Sequence, residues 1–177
     1  MGDSLSAAYG ISKKTAWPKL LQQKLAQLGY DYQVVNASIS GDTTAGGLNR
    51  LPQTIEREQP EVVVIELGAN DGLRGLSLIQ AMDNLDRMIL HSRQSGARVL
   101  LLGMRLPHNY GAEYGQKFQQ IYLDVAQKRG VSLVPFFLQG VAETRAMMQA
   151  DGLHPSAAAQ PMILENVWEG LVPLLGK

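Results

Sequence analysis

The feature that most constrains this chain is an alternation. Four short aliphatic and β-branched runs are separated by stretches of helical periodicity. The runs are Tyr32–Asn36, Glu61–Leu67, Arg98–Gly103 and Val131–Pro135. Nearly continuous apolar runs of this length suit strands buried on both faces, as in a parallel sheet. Between them, Trp17, Leu20, Leu21, Leu25 and Leu28 form one helical stripe, followed by Gly29. Leu48, Leu51 and Ile55 form a second, in which Pro52 blurs the boundaries. Further stripes are Leu78–Ile89, Phe118–Val125 and Ile163–Leu174. Strands alternating with helices of this length predict right-handed βαβ units. The fold class expected is α/β: a three-layer α/β/α sandwich around a parallel, flavodoxin-like sheet. No linker, repeat or low-complexity tract interrupts the 177 residues, so one domain over 1–177 is expected.

Composition narrows the function. Lys and Arg number 16 and so do Asp and Glu, which leaves no net charge to draw the chain to nucleic acid. The longest clean apolar runs, Val62–Ile65 and Val99–Leu102, are four residues each. A spanning helix takes about 20, so stable membrane insertion is not expected. There is no cysteine, which removes disulfides and thiolate metal sites.

In open α/β sheets, ligands bind beyond the carboxyl ends of the strands. The segments there carry most of the polar oddities of the chain. Four blocks stand out: Gly2-Asp3-Ser4-Leu5-Ser6, Ser38-Ile39-Ser40-Gly41-Asp42, Gly68-Ala69-Asn70-Asp71 and Asp151-Gly152-Leu153-His154-Pro155. Each has an ordinary reading by itself. Ser4 after Asp3 fits a helix N-cap. Asp151 and His154, three residues apart, could be a base and its orienting carboxylate. They fit equally a solvated loop pair or two metal ligands without an evident third. Gly41 and Asn70 are common turn residues tolerant of left-handed backbone. His91 lies at the polar end of a helix pattern, and His108 in a strand-end loop. Gly46-Gly47 lacks the lysine of a phosphate loop. Asp42 and Asp71 alone are too few for a receiver-type Mg²⁺ site.

Taken together and in this order, the four blocks resemble the SGNH (GDSL) hydrolase family. Within it, the likeness is to the bacterial thioesterase I/lysophospholipase L1/arylesterase group. The stretches Val35–Asp42, Glu66–Gly75, Arg105-Leu106-Pro107 and Asn109-Tyr110-Gly111 extend the resemblance over nearly the whole chain. The resemblance implies a serine esterase or thioesterase that works through an acyl-serine. It makes Ser4 the nucleophile, His154 the base, Asp151 its orienting partner, and Gly41 with Asn70 the oxyanion donors. It suggests Leu73, Leu76, Leu106, Pro107 and Tyr110 as substrate contacts. It implies no metal or organic cofactor, and a periplasmic or secreted location. Two rival readings are a carbohydrate acetyl esterase of the same family and a non-catalytic flavodoxin-like binding domain.

The resemblance carries one further expectation. In the family, the Gly-Asp-Ser block is preceded by a short apolar strand, whereas here Met1 alone precedes Gly2. A sheet lacking its first strand is therefore expected, or self-association in which another chain fills the gap.

Overall fold

The computed structural model describes residues 1–176. Three parallel strands form the sheet in the order β1-β2-β3: β1 Val62–Ile65, β2 Arg98–Leu102 and β3 Ser132–Val134. Val63 pairs with Val99, and Leu101 with Leu133. The helices are α1 Trp17–Gln27, α2 Thr44–Glu58, α3 Ala69–Leu73, α4 Leu78–Gln94, α5 Ala112–Arg129 and α6 Gln160–Leu171. Helices α2, α4 and α5 pack side by side, with α4 and α5 on the sheet. Helices α1 and α6 pack together, and α6 lies on β2 and β3. Gly170 permits that approach, because a Cβ there would stand 2.8 Å from Val134 Cγ2 and 2.9 Å from Leu100 Cδ1. The expected α/β layering is thus present.

The runs that became strands are those most completely buried. Ile65, Leu100, Leu101 and Leu102 are fully shielded from solvent and join one continuous apolar cluster. Helix α2 runs through Pro52, since Leu48, Leu51 and Ile55 anchor its inner face in that cluster. Helix α3, which carries Asn70, was not expected from periodicity and is only five residues long.

One expected strand does not form. Tyr32–Asn36 has no ladder partner. The Gln22 side chain holds it instead, accepting from Val34 N–H at 2.7 Å and donating to the Tyr32 carbonyl at 3.0 Å. A cavity of about 150 Å³ separates it from β1, lined by Leu21, Leu25, Val34, Leu51 and Val62. A strand requires a neighbour about 4.8 Å away, which this segment lacks. Met1 and Gly2 do run beside β1. The Met1 ammonium donates to the Val64 carbonyl at 3.0 Å, and Glu66 N–H donates to the Met1 carbonyl at 2.9 Å. Gly2 and Glu66 form a parallel bridge, so these two residues extend the sheet at the end where Ser4 emerges.

Candidate active site

Ser4 sits on a tight series of turns immediately past that bridge. Asp3 Oδ1 accepts from Leu5 N–H at 3.0 Å, and the Asp3 carbonyl accepts from Ala7 N–H at 2.9 Å. These bonds fold the backbone back on itself and leave the Ser4 side chain half-buried at the carboxyl end of the sheet.

The opposing face of the site is a loop near the other end of the chain. Met148 and Pro155 pair as an antiparallel bridge, and Gln149 N–H donates to the His154 carbonyl at 2.7 Å. At the tip, Asp151 Oδ1 accepts from the N–H groups of Leu153 and His154, at 2.9 and 3.0 Å. This is the local turn that an Asp favours. Gln149 ties the loop to the segment bearing Ser4 by donating to the Tyr9 carbonyl at 2.8 Å. The Tyr9 ring packs at a tilt of 36° against the His154 ring, with centroids 4.4 Å apart.

Across this junction the three polar side chains line up. His154 Nδ1 lies 2.7 Å from Asp151 Oδ2, and His154 Nε2 lies 2.9 Å from Ser4 Oγ. The carboxylate fixes the tautomer with hydrogen on Nδ1, which leaves Nε2 free to take the serine proton. Backbone and side-chain hydrogen bonds from His154, with a third from Leu153, push the Asp151 carboxyl down to about 2. Asp151 is therefore charged throughout the working range.

Gly41 and Asn70 belong to the same assembly. Gly41 has φ +80°, which only glycine adopts readily, and its N–H donates to no protein acceptor among the described residues. Asn70 Nδ2 donates to Asp3 Oδ2 at 3.0 Å and to the Asp42 carbonyl at 2.9 Å. The amide thus spans from the residue before Ser4 to the residue after Gly41. Both its hydrogens are engaged, so serving an oxyanion means sharing one of them. Arg74, which sequence reasoning missed, donates through Nη2 to the Gly41 carbonyl at 2.9 Å and to Asn70 Oδ1 at 3.4 Å. Arg50 bonds Asp42 Oδ2 through Nε at 2.8 Å and the Gly2 carbonyl through Nη2 at 3.3 Å, holding the first two blocks together. Asp71 faces away, with its carboxylate accepting from Thr44 N–H and Oγ1–H at the start of α2.

Of the expected substrate contacts, Leu73, Leu106 and Tyr110 come together. Tyr110 donates its hydroxyl hydrogen to the Leu73 carbonyl at 3.2 Å, and Leu106 packs on Gly72. Leu76 is 44 % exposed. Three other exposed apolar side chains, Tyr9, Ile39 and Leu153, come from the segments bearing Ser4, Gly41 and His154. Sequence patterning gave no reason to single them out, because exposure is a tertiary property. His91 and His108 take no part in this constellation.

A serine, a histidine and a carboxylate joined in series at the carboxyl end of a parallel sheet match the chemistry of acyl transfer. The comparisons with known proteins agree. The sequence matches the GDSL-like Lipase/Acylhydrolase family over residues 1–160. The chain belongs to that family. It is an ester-bond hydrolase. It is 57% identical over 175 residues to Esterase TesA of Pseudomonas aeruginosa, covering 99% of this chain and 87% of that protein. It is 47% identical over 172 residues to an arylesterase of Vibrio mimicus, covering 97% and 86%. It is 43% identical over 175 residues to thioesterase 1/protease 1/lysophospholipase L1 of Escherichia coli K12, covering 99% and 83%. A crystal structure of TesA superposes with a TM-score of 0.97 at 57% identity, covering 98% of this chain and 97% of that one. The chain thus shares its fold with that solved relative.

Proposed function

We propose that the chain hydrolyses carboxylic esters and thioesters through an acyl-serine intermediate, with Ser4 as nucleophile. The observation that carries this is the unbroken series Ser4 Oγ, His154 imidazole, Asp151 carboxylate, at 2.9 and 2.7 Å. His154 Nε2 takes the Ser4 proton as Oγ attacks the acyl carbon. The imidazolium that forms is stabilised by Asp151, and it then protonates the departing alcohol or thiol. Negative charge grows on the carbonyl oxygen during attack. The N–H of Gly41, the Asn70 amide and the N–H of Ser4 are its donors, and one such donor contributes about 3–4 kcal/mol to the transition state in comparable enzymes. Water then enters, activated by the same imidazole, and the acyl group leaves as the acid.

The substrates this reading favours are aryl esters, acyl-CoA-type thioesters and lysophospholipids, after the names of the similar proteins. Leu73, Leu76, Leu106, Pro107 and Tyr110 form the acyl-facing side. No metal or organic cofactor takes part. The decisive experiment is a panel of nitrophenyl esters and acyl-CoA thioesters with the parent chain and Ser4→Ala. Turnover is expected to fall by at least about 1,000-fold in the variant. Undiminished turnover there, or faster cleavage of acetylated sugars than of every acyl ester in the parent, overturns the reading.

Two finer points belong to the same proposal. The segment Tyr32–Asn36 and strand β1 flank an apolar cavity, and self-association through it is supported by the absence of a ladder partner on that segment. Sedimentation at increasing concentration tests it, a constant monomer mass counting against. A periplasmic or secreted location follows the family resemblance, and fractionation of the host cell checks it.

A further inference from the structure

Glu66 lies at the end of β1, is 1% exposed, and has no part in the proton path. Its Oε2 accepts two hydrogen bonds, from Ser6 Oγ–H at 2.7 Å and from Asp3 N–H at 3.2 Å. Those donors stand on either side of Ser4 in the sequence. Its backbone N–H donates to Met1, so the carboxyl and the backbone of one residue hold the segment on which the nucleophile stands. Ser6 is itself fixed from behind, since Trp17 Nε1–H donates to its Oγ at 3.2 Å. Asn36 Nδ2 donates to the Ser6 carbonyl at 2.7 Å. Gly2 makes the reach geometrically open: a Cβ there would stand 2.7 Å from Glu66 Oε2.

We propose that Glu66 is a positioning residue for Ser4. Its carboxyl grips the turn before and after the nucleophile and holds Oγ in line with His154 Nε2. This rests on the reading of Ser4 as nucleophile. The clamp faces the Asp3 carboxyl and the Met1 ammonium from the same segment, with Arg50 of α2 beside that ammonium and the neutral Tyr122 hydroxyl of α5 nearby. Burial, and then the neighbouring Asp3 charge, push the Glu66 carboxyl well above the usual carboxylate range. Oε1 has no hydrogen-bond partner among the described residues. A side chain that accepts two hydrogen bonds through Oε2 can be replaced by an amide of the same shape. A hydrocarbon cannot replace it, because two buried donors would lose their acceptor.

This separates a positioning role from a general structural one. Small displacements of a reacting atom cost up to about 100-fold in rate, and they act on the chemical step rather than on binding. Glu66→Gln is expected to keep kcat within about threefold of the parent. Glu66→Leu is expected to lose at least about tenfold in kcat with KM within about twofold. The rate at which a fluorophosphonate labels Ser4 should fall by the same factor, measured well below each variant's melting temperature. If the leucine variant does not fold, Ser6→Ala serves in its place. It removes one of the two grips, and labelling should slow about three- to tenfold. Parent-rate labelling in the folded leucine variant, or in Ser6→Ala, overturns the proposal. So does a glutamine variant as slow as the leucine one, which would make charge rather than hydrogen bonding decisive. If Ser4→Ala keeps full turnover, it is the nucleophile assignment that fails, and labelling of the Glu66 variants then has no bearing on it.

Discussion

Two sets of carboxyl groups flank Ser4, and they are built on opposite principles. In front, Asp151 lies on a loop with its side chain 39% exposed, and local N–H donors hold its carboxyl down to about 2. Behind, Asp3 and Glu66 are each 1% exposed. Burial lifts Asp3 from its usual value to about 6, and Glu66 well above the ordinary range. The front acid is made charged by hydrogen bonds in a wet place. The rear acids are driven toward neutrality by a dry one. The lesson is one of division: under the proposed reading, the wet carboxylate serves proton transfer and contributes little to the fold, whereas the dry ones hold the Ser4 turn at a cost in stability.

The comparison breaks most visibly at Asp151. Asp151→Asn should leave the melting temperature within about 2 °C, since exposed pairs contribute little. The same change should cut kcat by about 1,000- to 10,000-fold, because the amide favours the wrong histidine tautomer. A variant that lost stability in proportion to rate would erase the distinction between the two acid sets. Thermal melts and steady-state rates on one preparation measure both.

At the rear, pH sharpens the contrast. The Asp3 carboxyl is lifted in the folded protein, so the folded state holds its proton between about pH 4 and 6 while the unfolded chain has released it. Stability from this group is therefore present at low pH and lost as pH rises through that window. Glu66 acts in the same direction. Asp151 acts oppositely, being depressed: its contribution is present above about pH 4 and fades as pH falls toward 2. Asp3→Asn mimics the protonated acid. Its melting temperature relative to the parent should rise by several degrees between pH 4 and pH 7. A gap that stayed constant over that range would show that Asp3 does not titrate there.

The smallest effect lies between the two sets, at Gly41. A Cβ there meets only Arg74 Nη2 at 3.5 Å, so space is available and the φ of +80° alone opposes a side chain. Gly41→Ala should cost about 1–2 kcal/mol, or roughly 2–8 °C of melting temperature. Its rate loss should exceed that of a remote glycine variant such as Gly29→Ala, which has a similar φ and open space around it. Equal rates in the two variants would separate Gly41 from the reaction.

Much of this was legible in the residues. Ser4, Asp151 and His154 could be named because the short blocks carrying them have a fixed order and residue types suited to acyl transfer. Three of the four apolar runs became strands, each paired in parallel register with a neighbour. Tyr32–Asn36 did not, because pairing depends on a neighbour and not on the run itself. Glu66 fell inside the run Glu61–Leu67, with no sign of its own role. That its carboxyl turns inward to hold Ser6 depends on the Gly2 and Trp17 contacts, which periodicity does not encode. Arg74 and Tyr9 were missed for the same reason: their partners, Gly41 and His154, lie 33 and 145 residues away in sequence. Asn70 was named as a donor, but its engagement by Asp3 and Asp42 emerges only from the assembled loops.

The bond between His154 and Ser4 joins residues 150 positions apart. Bringing such distant positions together carries a loop-closure cost that no local helix or hairpin meets by itself, so contacts of this span tend to form late in folding. Turnover is then a census of completed molecules. A population in which α6 had frayed, or the turn at Asp151 had been nicked, would keep most of its helical signal and lose its ester chemistry. Activity measured along a denaturation curve should therefore fall no later than any spectroscopic signal, making the enzyme a chemical gauge of its own last folding step.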